Sequence, residues 1–148
     1  MKTRLCLLLL TFALAWSLGD AANAAVEGAA IKSANQRSTR AEAKLIACGQ
    51  FRERQAINCV ATAVRSFAAD TGGCSFIAAA APQATPTVAA AAKELGSTTT
   101  KEAAISVLNR ARSVLRSLAA QSSGEARRVY SRINRTFDTA ISVINSKG

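Results

Sequence analysis

The sequence has 148 residues, with 19 Lys and Arg against 9 Asp and Glu and a net charge of +10. It contains no histidine, which excludes Ser–His and Cys–His nucleophile systems and histidine metal sites. Hydrophobic residues reach 49% while aromatics are only 5%, so the apolar content is largely alanine and any core must be thin.

At the N-terminus, Lys2 and Arg4 precede a predominantly apolar run of 14 residues, Leu5 to Leu18, and Ala22-Asn23-Ala24 fits a small-x-small cleavage pattern. A bilayer span wants about 20 apolar residues, so the length favours a secretory signal peptide, residues 1–24, over an uncleaved anchor. Cys6 and Trp16 would leave with it. The product from Ala25 onward keeps a charge near +9 and 28 alanines. It has no second long apolar run, and is expected to be soluble and secreted, in a periplasm.

Residues 25–38 show little periodicity and read as a loose leader or a frayed helix. Residues 39–148 read as one domain. Thr39 and Glu42 have capping-box spacing and predict a helix start. The helix runs through Leu45, Ile46 and Cys48 to Gly49, which costs about 1 kcal/mol relative to alanine in a helix interior. Either one bent helix continues to Ala69 or two helices break at Gly49. Beyond it, Ile57, Val60, Val64 and Phe67 form a stripe, and Gly72-Gly73 predicts a left-handed stop. Residues 74–85 are Ala-rich and read as a connector with at most a helical turn. Thr85 as cap, Pro86 at the first helical position and Gly96 past Leu95 frame a short helix.

The C-terminal third has the clearest grammar. Thr99 and Glu102 have capping-box spacing, and Ala104, Val107, Leu108, Ala111, Val114, Leu115 and Leu118 share one side of a helical wheel. Ser122 and Glu125 repeat the spacing around Gly124. Ala126, Val129, Tyr130, Ile133, Phe137, Ala140, Ile141 and Ile144 then follow at i, i+3, i+4, i+7. A short link between two such helices makes them antiparallel neighbours. The predicted fold is an all-α, Ala-rich helical bundle of about four helices, ending in an antiparallel helical hairpin.

Cys48, Cys59 and Cys74 remain after processing. An oxidising compartment favours one bridge over three reduced, buried thiols. On a continuous helix Cys48 and Cys59 stand about 16 Å apart along the axis, whereas a disulfide needs Cα atoms within about 7 Å. They can pair only if the chain folds back at Gly49, for which the intervening length looks too short. Cys59–Cys74 is therefore the favoured bridge, with Cys48–Cys74 next. No CxxC pattern is present, so neither redox exchange nor zinc is supported.

Acidic residues are scattered singly, leaving no carboxylate pair for hydrolysis. Gly72-Gly73 lacks the Lys-Ser/Thr of a phosphate loop. The chain therefore reads as non-enzymatic, with no cofactor and no metal. Arg110, Arg112, Arg116, Arg127, Arg128, Arg132 and Arg135 place seven positive charges on the hairpin, opposed there by Glu102, Glu125 and Asp138. Such a surface can hold phosphate groups of an anionic envelope component, or be an ordinary solvated helix face. The signal peptide and the lack of aromatics among these arginines disfavour nucleic acid. The second reading is a module that completes its bundle with a helical partner or a second copy, with Phe51 and Phe76 as candidate contacts, although aromatics in such positions more often simply cap the core.

Overall fold

The computed structural model describes residues 19–147, with side-chain surroundings from Gly28 onward. The described residues are all-helical: α1 Gly19–Cys48, α2 Glu53–Gly72, α3 Ser75–Ala80, α4 Ala84–Leu95, α5 Lys101–Gln121 and α6 Gly124–Asn145. The expected signal's charged start and apolar run, with Cys6 and Trp16, lie outside the described residues. Its last positions, 19–24, belong to α1. None of the described helices is long and apolar enough to cross a membrane.

Residues 25–38 are helical rather than a loose leader. Their stripe is built from small side chains: Ala30, Ala34, Ser38, Ala41, Leu45 and Cys48 are all buried. Their spacing of three and four puts them on one helix face, but alanine and serine carry too little apolar surface to announce it. Thr39 accordingly lies inside α1, and caps nothing. The start of the well-packed part of α1 is held from another helix, where Glu125 Oε1 accepts the Ile31 N–H at 3.0 Å. Glu125 thus serves α1, and Ser123, not Ser122, stands before α6, making no side-chain cap.

The chain does fold back at Gly49. Gly49, Gln50 and Phe51 donate to the carbonyls of Ile46, Ala47 and Cys48 at 3.0, 3.4 and 3.1 Å, and α2 begins at Glu53. An αα-hairpin needs only two to five linking residues, so four are enough. The fold-back brings Cys48 and Cys59 to a Cα–Cα separation of 5.6 Å, where they form the disulfide. This corrects the expected Cys59–Cys74 bridge: the 16 Å estimate held for a continuous helix only. Cys74 lies buried beside α3, outside the disulfide.

Gly73 follows α2 with φ −77°, so the predicted left-handed stop is absent. Gly72 matters for proximity instead, because a Cβ there would stand 3.1 Å from Thr85 Cγ2. Within the expected connector, Ser75–Ala80 is a sixth helix that buries Ile77. Gln83, not Thr85, precedes α4, and Thr85 Oγ1 is buried without a hydrogen-bond partner among the described residues. Gly96 does follow Leu95 as the end of α4. Among the described residues, six helices therefore replace the predicted four or so, through the break at Gly49 and the addition of α3.

The last two helices bury Val107, Leu108, Ala111 and Leu115 of α5 against Val129, Ile133, Phe137 and Ile144 of α6 and the shared core. Thr100, one residue later than predicted, caps α5 by accepting the Ala103 N–H at 3.3 Å. Val114 departs from the predicted stripe and is 47% exposed. Lys101 Nζ donates to the carbonyls of Asn145 and Lys147 at 3.1 Å, so the start of α5 meets the end of α6.

Candidate functional site

The arginines of α5 and α6 divide into two sets. Three are spent on holding helices together. Arg110 pairs with Glu94 of α4. Arg112 Nη1 meets Asp138 Oδ1 of α6 at 2.9 Å. Arg132 grips Glu42 of α1 with both terminal nitrogens, the second at 3.0 Å, and also reaches Thr39 Oγ1 at 3.3 Å. Thr136 Oγ1 donates to the same carboxylate at 3.3 Å. Other cations serve helix ends: Arg37 Nε donates to the Asp70 carbonyl near the end of α2 at 2.7 Å, and Lys147 reaches the Gly49 carbonyl after α1. Positive charge at a helix C-terminus is favourable.

The other set is Arg116, Arg127, Arg128 and Arg135. All four are exposed, and none forms an ion pair with a described residue. Arg128 and Arg135 are seven positions apart on α6, which puts them on one face about 10 Å from each other. The register that pairs Arg112 with Asp138 sets Arg116 level with residue 134 along the hairpin. A shallow depression of about 450 Å³ lies at Arg135, lined by Glu42, Arg132, Arg135, Asp138 and Thr139. Its two carboxylates are already engaged by Arg132 and Arg112, so Arg135 is the cation left to face solvent. The remaining exposed cations, Lys32, Arg40, Lys44, Arg52, Arg54, Arg65 and Lys93, are spread over α1, α2, α4 and the turn at 49–52.

The apolar contacts suggested by the sequence separate as well. Phe51, in the turn after α1, is 38% exposed and Ile46, near the end of α1, is 65% exposed, whereas Phe76 packs half-buried against the core. Ile46 and Val114 escaped sequence reasoning because each follows the helical period well enough to pass for core or its edge. Among the described residues no three His, Cys, Asp or Glu come together as a metal site.

Comparison with protein-family models, curated proteins and solved structures finds no match for this chain.

Proposed function

We propose that this chain is an exported, non-enzymatic helical-bundle protein that attaches peripherally to anionic surfaces of the cell envelope through its C-terminal hairpin. One observation carries the reading: Arg116, Arg127, Arg128 and Arg135 stay exposed on two adjacent helices and form no ion pair with a described residue, while Arg110, Arg112 and Arg132 are consumed in helix-to-helix bridges. Guanidinium groups kept free of carboxylates can bind phosphate oxygens in the bidentate mode that suits them. The charged start and short apolar run of the N-terminus support export.

Co-sedimentation with anionic and neutral vesicles over a salt series tests this. Binding to anionic vesicles alone is expected, and it should fall as salt screens the contact. Arg128→Glu with Arg135→Glu should abolish it and leave helicity intact. Retention of that double variant at low salt would remove the α6 face as the binding surface.

A second reading has its own observation. Ile46 and Phe51 expose large apolar groups at one end of the α1–α2 pair, as a module completed by a helical partner or a second copy would. Association through them would persist at high salt, which separates the two readings.

A further inference from the structure

A groove of about 670 Å³ opens along the seam between α1 and α2, on elements other than the arginine face. Its wall on α2 runs from Gln55 through Asn58, Cys59 and Thr62 to Ser66, a single helix face about 16 Å long at 1.5 Å per residue. The groove exists because the residues along this seam have short side chains, and the disulfide holds the two helices together beneath them. The floor is apolar: the Phe51 ring at one end, then the Cys48–Cys59 bridge and Ala63. At the other end Lys44 Nζ donates to Ser66 Oγ at 2.7 Å. Lys44 is the one charged side chain lining the groove, and it makes no ion pair with a described residue.

We propose that this groove binds a single-chain anionic amphiphile, with the acyl chain on Phe51, the disulfide and Ala63 and the acid head at Lys44 and Ser66. The size falls in the usual range for small-molecule sites, which pair an apolar lining with a few placed polar groups. The chain, not a helix, is the matching shape. Gln55, Asn58 and Thr62 make the α2 rim polar, which leaves an apolar strip too narrow for the multi-anchored face of an amphipathic helix. The head is acidic because the cation at the Ser66 end is offset by a neutral hydroxyl and by no carboxylate of a described residue.

The test is an amide NMR titration of the full chain with dodecanoate below its micelle concentration, with dodecyltrimethylammonium and acetate as comparison probes. Dodecanoate should give saturable shifts at Lys44, Phe51, Asn58, Cys59 and Thr62. Acetate should give none, and the cationic probe should bind more weakly by a factor of up to about fivefold, the scale of one exposed charge contact. Lys44→Glu should invert that preference, and Thr62→Trp, which fills the groove from an exposed position, should weaken both long-chain probes. Circular dichroism of each variant establishes that it is folded. Equal affinity for the two head groups, or unchanged binding by Thr62→Trp, would overturn the proposal. So would shifts centred on Arg127, Arg128 and Arg135, or a probe-free dimer in sedimentation velocity with broadening at Phe51, which would give the groove to a second copy.

Discussion

Arg132 and Glu42 lie 90 positions apart in sequence and are joined by two hydrogen bonds that clamp α6 to α1. Their side chains are only 12% and 23% exposed, against 64% and 52% for Arg110 and Glu94. The same residue type at similar spacing therefore performs different work on the two helices. Glu42 also accepts from Thr136, so the pair is the centre of a small network and not an isolated contact.

Removing Arg132 leaves a partly buried carboxylate with one hydroxyl donor. Arg132→Ala should lower unfolding free energy by about 2 kcal/mol, between the values for exposed and buried pairs. Arg110→Ala should cost about 0.5 kcal/mol or less, because its partner remains hydrated. Urea denaturation of both variants decides the matter. Equal losses would mean that burial does not distinguish the two bridges.

Phe137 is 1% exposed in a core made mostly of aliphatic and alanine side chains, with Phe67 and Tyr130 as the other buried aromatics among the described residues. Close packing leaves its neighbours little freedom to move into the space it fills. Phe137→Ala should therefore cost about 3–5 kcal/mol, enough to threaten folding in a small domain. Val114→Ser, on the neighbouring helix but 47% exposed, should stay within about 0.5 kcal/mol of the parent. A melting curve for Phe137→Ala that matches the parent would contradict its place in the core.

The helices with large side chains were the legible ones. Leu108, Leu115, Ile133 and Phe137 recur at helical spacing, and α5 and α6 begin within one or two residues of where capping spacing places them. Where alanine and serine carry the buried face, as in Ala30, Ala34 and Ser38, periodicity says little because the contrast between faces is small. Two errors came from long-range geometry. Glu125 has ideal spacing to cap its own helix, yet it accepts from Ile31, 94 positions away. The cysteine pairing depended on whether Gly49 breaks the helix, and that single alternative reverses which thiols can meet. The arginines show the same limit. Their positions on α5 and α6 are readable, but which ones find carboxylates depends on α1 and α4 packing beside them.

The Cys48–Cys59 bridge closes a short loop around the Gly49–Arg52 turn. Such a cross-link stabilises mainly by restricting the unfolded chain, by about 2–3 kcal/mol for a loop of this size. Tryptic digestion without reduction should yield fragment 45–52 linked to fragment 55–65. A link from either one to fragment 66–93, which carries Cys74, would refute the pairing. Reduction should lower stability by the stated amount, and Cys74→Ala should leave the linked pair in place.

Gly28 and Gly124 offer the last comparison, since a Cβ would meet nothing within 4 Å at either position. Space is equal, so backbone conformation decides the outcome. Gly28 sits within α1 without a positive φ, where alanine is favoured by about 1 kcal/mol on helix propensity. Gly124 opens α6 at φ +56°, the left-handed region in which an L side chain costs about 1–2 kcal/mol. Gly28→Ala should therefore raise the denaturation midpoint and Gly124→Ala should lower it. Changes of the same sign would mean that the link at 122–124 adopts an ordinary right-handed backbone in solution, or that α1 is not helical at Gly28. Helicity by circular dichroism distinguishes those two cases, because only a Gly28 outside the helix would gain helical signal on substitution without gaining stability.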